Sequence, residues 1–221
     1  MILLGMLFDA LDGQVARLTK TAGHFGVQLD SLCDIITFGL APAVLVNRIS
    51  LDYGRLGMPE QFVWLLSVLY VVCAALRLAR FNVETGTEEE DHEVFRGLPS
   101  PAAAGQIATL VILDCYLPAR PFGFLPEHPL VTVMPFIALA VGALMVSRVP
   151  YVHMGDRLFR GSRPFRWLMG LIFLSVLMAL RPKVALVTIF TAYTLSGVVN
   201  RARAKLSGKA ALLSSPAKKE T

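Results

Sequence analysis

The sequence predicts an all-α integral membrane protein, a polytopic bundle of about seven transmembrane helices. Three observations lead to this prediction. The chain of 221 residues is 55% hydrophobic and only 17% charged, and its mean hydropathy is +0.60, which lies outside the range of ordinary soluble domains. The apolar residues form stretches that are long enough, or nearly long enough, to span a bilayer. The basic residues concentrate in alternate connections between those stretches.

The predicted helices cover residues 1–18, 25–46, 62–80, 101–117, 130–147, 165–180 and 184–199. The last two are short for a bilayer core, and only Arg181, Pro182 and Lys183 separate them, so we expect a tight hairpin there. The chain then divides into one membrane domain, 1–204, and a flexible basic tail, 205–221, whose composition does not favour independent folding.

The distribution of basic residues predicts the orientation in the membrane. If the helices alternate in direction, 16 of the 21 lysines and arginines lie on one side, and by the positive-inside rule that side is cytoplasmic. We therefore expect a protein of the cytoplasmic (inner) membrane that contacts membrane lipids. This topology also explains the isoelectric point of about 9.3, so nucleic acid is not an expected partner.

Four aspartates, Asp9, Asp12, Asp30 and Asp34, lie within the first two predicted helices. Carboxylates near a membrane core are disfavoured by several kcal/mol, so they require a cation, a water-filled cavity or both. Spacings of three and four residues put each pair on one face of its helix, and the polar segment LTKTAGH between the helices favours a turn. We expect the four carboxylates to converge on the cytoplasmic side and to bind Mg²⁺ or Mn²⁺, as two ions.

The aspartates belong to the pattern D-x2-D-G-x2-A-R-x8-G-x3-D-x3-D, whose other fixed positions are Gly13, Ala16, Arg17 and Gly26. With this pattern the chain resembles the CDP-alcohol phosphotransferase family. The resemblance implies that the four aspartates bind divalent metal and that Asp34 is also the base that activates the acceptor alcohol. The four other residues are assigned to the nucleotide and its phosphates. Arg17 can reach a phosphate, while Gly13 and Ala16 leave room for a nucleotide or, alternatively, for tight helix packing.

Three further segments, ALRLARFN (75–82), FRGLPSPAAAG (95–105) and MVSRVPY (145–151), resemble those of the phosphatidylserine synthase branch of that family. This resemblance implies transfer of a phosphatidyl group from CDP-diacylglycerol to L-serine, with release of CMP, in phospholipid biosynthesis. Arginines at the predicted cytoplasmic helix ends are candidates for binding the serine carboxylate. They are Arg77, Arg80, Arg96 and Arg148. Anchoring of helix ends by the positive-inside rule explains each of them equally well.

Several alternatives stay open at this stage. Within the family, the acceptor is alternatively glycerol phosphate, inositol phosphate or choline. From a different class, a polytopic cation transporter also explains carboxylates in a membrane, although it does not require Gly13, Ala16 and Arg17 at fixed offsets. The family usually has one more helix before the signature. We therefore expect a bundle of eight helices, of which the N-terminal one is missing from this sequence, or else a shortened variant. A homodimer is a candidate assembly.

Overall fold

The computed structural model describes residues 1–19, 24–53, 58–85, 94–116, 129–147, 149–152 and 164–214. In these residues the chain is almost entirely helical, which confirms the predicted fold class. The elements are α1 (Ile2–Thr19), α2 (His24–Asp34), a π-helical turn (Ile35–Leu40), α3 (Ala41–Tyr53), α4 (Glu60–Thr85), β1 (Val94–Arg96), α5 (Ser100–Tyr116), α6 (Pro129–Val146), β2 (Pro150–Val152), α7 (Pro164–Leu180) and α8 (Pro182–Ser214). Because α2, the π turn and α3 follow one another directly, they form one rod. The described residues therefore contain seven helical rods.

Three helical segments in the described ranges are long and apolar enough to cross a membrane. They are Gln28–Tyr53, Glu60–Val83 and Pro182–Ala202, and Leu130–Val146 is a shorter apolar helix. Large apolar side chains remain on the outside of the bundle; Phe173 and Leu180, for example, are each 71% exposed. Apolar surface of this extent suits contact with lipid rather than with water.

The final helical pair differs from the sequence prediction in length. Helix α7 ends at Leu180 and α8 begins at Pro182, so the predicted tight hairpin is present. The last helix is not short, however, because it continues to Ser214. The part of α8 beyond residue 199 is more polar and contains Ala, Arg, Lys and Leu, which are strong helix formers. The helix thus enters the segment 205–221, and the division into a membrane domain and a tail stays a prediction.

The buried core lies between α3, α4, α5 and α6. Val46, Tyr70, Ile107 and Met134, one from each of these helices, belong to one cluster and are fully buried. Helix α8 packs on the outside of α5. There Gly105 leaves space for the Phe190 ring, and Gln106 Nε2 donates a hydrogen bond of 3.1 Å to Thr191 Oγ1. These contacts hold the core helices in place around the first hairpin.

A short antiparallel ladder joins two connections at one end of the bundle. Strand β1 pairs with β2, so that Phe95 lies opposite Tyr151. Gly97 follows β1 with a φ of +96°, a left-handed conformation that favours glycine, and its N–H donates to the Val149 carbonyl at 2.9 Å. Strands of three residues carry no readable alternation, which explains why the sequence did not predict them. The ladder brings the start of α5 close to the end of α6.

Candidate active site

The hairpin of α1 and α2 brings three of the four aspartates together. Asp9, Asp12 and Asp30 each have a carboxylate oxygen within 4.8 Å of the others. We call these three residues the carboxylate cluster. Asp12 and Asp30 are exposed and Asp9 is half-buried, so the cluster opens at the surface of the bundle. Three hard oxygen donors at this separation suit a divalent cation of the Mg²⁺ or Mn²⁺ type.

Asp34 lies beside the carboxylate cluster and is not one of its three members. Its carboxyl group interacts with that of Asp9, and it interacts electrostatically with Asp30, Asp12 and the Arg77 guanidinium. Because Asp34 is half-buried while Asp12 and Asp30 are exposed, it forms the inner edge of the site.

A close helix contact sets the register of the hairpin. Gly5 of α1 lies against Thr37 of the π turn, and a Cβ added at Gly5 would come within 2.5 Å of Thr37 Cγ2. Gly5 precedes Asp9 by about one helical turn, while Thr37 follows Asp34 by slightly less than one. Since the two rods run antiparallel, this contact aligns Asp9 with Asp34.

Arg77 of α4 supplies a cation next to Asp34. Its Nη1 donates a hydrogen bond of 2.6 Å to Ser100 Oγ at the start of α5, and its guanidinium lies 5.9 Å from the centroid of the Phe81 ring. Arg77 also interacts electrostatically with Asp34 and Tyr193. Ser100, which is only 3% exposed, is interpreted from the sequence as an N-cap with Pro101 at the first helical position and is not among the predicted site residues. A serine in the segment LPSPAAA was the available signal.

Of the other candidate arginines, Arg80 bonds to the end of α6, and Arg96 and Arg148 are only partly described or lie outside the described residues. Arg80 Nη1 donates to the Val146 carbonyl at 3.4 Å, at the end of α6. Arg96 lies in β1, but its side chain is outside the described part of the structure, as is the whole of Arg148. The β1–β2 ladder places the backbone of Arg96 opposite Pro150, and so near the end of α6. Arg77 is therefore the candidate that the described side chains bring to the site.

The residues assigned to the nucleotide lie on the same hairpin. Gly13, Ala16 and Arg17 are on the second half of α1, where the structure describes the backbone and not the side chains. Gly26 is on α2, and a Cβ built there meets no atom of the described residues within 4 Å. This space beside Gly26 is compatible with a bound ligand.

Comparison with known proteins adds independent information. Residues 1–147 match the model of the CDP-alcohol phosphatidyltransferase family. A CDP-diacylglycerol–serine O-phosphatidyltransferase of Helicobacter pylori is 35% identical over 205 residues, which is 90% of this chain and 77% of the relative. An archaetidylserine synthase of Methanothermobacter thermautotrophicus is 38% identical over 153 residues, covering 68% of this chain and 56% of the relative. A CDP-diacylglycerol–serine O-phosphatidyltransferase of Saccharomyces cerevisiae is 35% identical over 157 residues, covering 66% and 54%.

Proposed function

The chain belongs to the CDP-alcohol phosphatidyltransferase family, and we propose that it transfers a phosphatidyl group from CDP-diacylglycerol to L-serine, with release of CMP, in phospholipid biosynthesis. The observation that carries this proposal is the convergence of Asp9, Asp12 and Asp30 within the region that matches the family model. The acceptor follows from relatives in three organisms, whose names all specify serine. A cation transporter, the alternative from another class, has no support from the family match.

We propose that the carboxylate cluster holds the divalent metal, Mg²⁺ or Mn²⁺, and that two ions bind with the contribution of Asp34. The oxygens within 4.8 Å of one another fit this use, because both ions prefer oxygen ligands. When bound, such ions neutralise the charge of a pyrophosphate. The nucleotide is assigned to Gly13, Ala16, Arg17 and Gly26 on the same hairpin.

Asp34 is proposed as the general base. It is next to Asp9 but outside the cluster, so its carboxylate can receive a proton while the other three hold their ligand. The acceptor hydroxyl gives its proton to Asp34 as its oxygen forms a bond to the phosphorus that carries the diacylglycerol group. The bond from that phosphorus to the CMP oxygen breaks at the same centre, and CMP leaves.

Arg77 is proposed as the group that binds the serine carboxylate. A guanidinium pairs well with a carboxylate, and Arg77 is positioned by Ser100 and lies beside Asp34. A serine bound here by its carboxylate would present its hydroxyl to Asp34. Arg80, Arg96 and Arg148 stay candidates for a supporting role at the same end of the bundle.

A CMP-release assay tests this function. The purified protein is supplied with CDP-diacylglycerol, Mn²⁺ and, in separate reactions, L-serine, glycerol 3-phosphate, inositol phosphate or choline. We expect release of CMP with L-serine and little with the other acceptors. Preference for another alcohol would refute the serine assignment while keeping the reaction type. Absence of CMP release with every acceptor, together with Mn²⁺ flux in proteoliposomes, would favour the transporter.

The site is proposed to face the cytoplasm from the inner membrane. Single cysteines placed at Gly23 and Gly57, in connections outside the described residues, test this orientation on a background without Cys33, Cys73 and Cys115. In intact cells an impermeant thiol reagent should label position 57 and not position 23. The reverse pattern would put the site on the wrong side for a cytoplasmic nucleotide. The homodimer stays a prediction that the mass of the purified protein by light scattering tests.

A further inference from the structure

The π-helical turn directly after Asp34 is followed by a proline that leaves one carbonyl of the turn without its usual donor. In it the Ala41 N–H bonds to the Ile36 carbonyl, five residues earlier. The next residue, Pro42, has no N–H, so the Phe38 carbonyl lacks the donor that an α-helix would supply from four residues ahead. The proline ring also crowds that carbonyl. A helix with this sequence therefore needs a donor for Phe38 from elsewhere.

Tyr70 of α4 provides this donor. Its hydroxyl donates a hydrogen bond of 2.9 Å to the Phe38 carbonyl, and both residues are 0% exposed. Because neither residue is exposed to solvent, water does not readily replace this donor, and a buried carbonyl without a donor is costly. The side chain of one rod thus completes the backbone hydrogen bonding of another.

The bond belongs to a series of contacts between α4 and the rod that carries Asp34, which runs antiparallel to it. The contacts pair Ser31 with Asn82, Gly39 with Ala74, and Phe38 with Tyr70. Between the first two pairs, Asp34 interacts electrostatically with Arg77. Asp34 therefore lies between two hydrogen bonds to α4. The Asn82 bond of 3.0 Å is on its N-terminal side, and the Tyr70 bond is on its C-terminal side.

A π turn also changes the directions in which the side chains before and after it point. One additional residue in a helix rotates everything beyond it by about 100°. Here it allows α2 to direct Asp30 and Asp34 toward α1, while α3 directs Val46 into the core. The direction of Asp34 thus depends on the π turn.

We infer that Tyr70 is a positioning residue for Asp34: by bonding to the Phe38 carbonyl, its hydroxyl fixes the π turn that holds Asp34 between Asp9 and Arg77. The inference rests on the proposed function, in which Asp34 takes a proton from the acceptor. It assigns a role in turnover to a residue that lies outside the site.

The test compares Tyr70→Phe with the parent protein by CMP release, Mn²⁺ binding and thermal unfolding. The acceptor is whichever alcohol the parent protein uses, so an error in the serine assignment does not affect the result. We expect kcat to fall roughly 10- to 100-fold, as for a small misplacement of a reacting group. The KM values and the Mn²⁺ affinity of the carboxylate cluster should be unchanged, because Asp9, Asp12 and Asp30 stay in place. Ser67→Ala is the matched control, since it removes a buried hydroxyl that bonds within α4 itself, to the Val63 carbonyl, and its kcat should equal that of the parent.

A second variant tests the mechanism of the effect. Pro42→Ala restores an N–H four residues after Phe38, so in the Tyr70→Phe background it should raise both kcat and the unfolding temperature. Parental kcat in Tyr70→Phe would overturn the inference. A loss of Mn²⁺ binding to the carboxylate cluster in proportion to kcat, or no recovery in the double variant, would equally overturn it, because either indicates general damage to packing. A parent that releases no CMP with any acceptor would instead refute the proposed function.

Discussion

Replacing Gly5 with alanine is a direct test of how the two rods form the metal site. Gly5 is not itself a proposed metal or substrate ligand, but its contact with Thr37 sets the spacing between α1 and the π turn. Alanine favours helix more than glycine does, so on local grounds alone the substitution should stabilise α1. The packing of Gly5 against Thr37, in contrast, predicts that the substitution impairs metal binding and CMP release.

The structure gives the size of this effect. The new Cβ would lie 2.5 Å from Thr37 Cγ2, whereas carbon atoms in favourable contact are about 3.5–4.0 Å apart. Thr37 is β-branched and is restricted to about two rotamers in a helix. If it keeps the observed one, α1 must move by about 1 Å or more to reach that separation. The cluster oxygens already span up to 4.8 Å, and two oxygens on one Mg²⁺ ion are at most about 4.2 Å apart, since each bond is about 2.1 Å. Moving Asp9 and Asp12 away from Asp30 should therefore weaken metal binding.

We expect Gly5→Ala to reduce Mn²⁺ affinity about ten-fold and CMP release by up to roughly 100-fold, the cost of a misplacement near 1 Å. Mn²⁺ binding is measured by titration and followed by its paramagnetic resonance signal. Gly170→Ala is the matched control, because a Cβ on this exposed glycine of α7 meets nothing within 4 Å. Thr37→Ser removes the methyl group in question, so it should restore Gly5→Ala toward parental values. Parental Mn²⁺ affinity in Gly5→Ala would refute the reasoning, and so would a failure of Thr37→Ser to restore it.

Other predictions concern the site residues themselves. An asparagine in place of any member of the carboxylate cluster should sharply lower Mn²⁺ binding and CMP release, and full activity in excess EDTA would contradict a metal-dependent reaction. Asp34→Asn should lower kcat while sparing the binding of CDP-diacylglycerol, since the cluster remains; loss of that binding would show that Asp34 acts mainly as a metal ligand and refute its role as the base. Arg77→Ala should raise the KM for serine far more than that for CDP-diacylglycerol. A hydrogen bond to a charged group is worth about 1.5–3 kcal/mol, or roughly 10- to 100-fold. Arg181→Ala, at the helix α7 to α8 junction, should leave both KM values unchanged.

The sequence predicted the helical rods and the meeting of the aspartates because both depend on local periodicity. The segment predicted over 62–80 is observed as Glu60–Thr85. The difference at its start is that expected from the fraying of helix ends, whereas the helix beyond Arg80 is a polar continuation that an apolar stretch does not predict. The spacing of Asp9 and Asp12 fixes their common face in any α-helix. A polar turn was enough to predict that the second helix returns along the first.

Features that depend on distant residues could not be predicted in this way. Pro42 indicates an interruption in its helix, but nothing near it in sequence shows that Tyr70 supplies the missing donor. The placement of Asp34 beside the carboxylate cluster also has a tertiary cause, since its i, i+4 spacing from Asp30 predicts only that the two share one face of their helix. Likewise, the bond between Arg77 and Ser100 requires α4 and α5 to meet at one end of the bundle.

The series of contacts along α4 has a consequence for an enzyme whose substrates are a lipid and a soluble molecule. Admission of a lipid between helices requires some rods to separate. Tyr70 and Arg77 belong to a single continuous helix, so they move as one rigid body when the rods separate. The distance between the Asp34 carboxylate and its neighbouring guanidinium is thereby protected. The rods are then expected to separate for the lipid at helix–helix boundaries that do not involve α4, such as those of α7, whose side chains are exposed on the outside of the bundle.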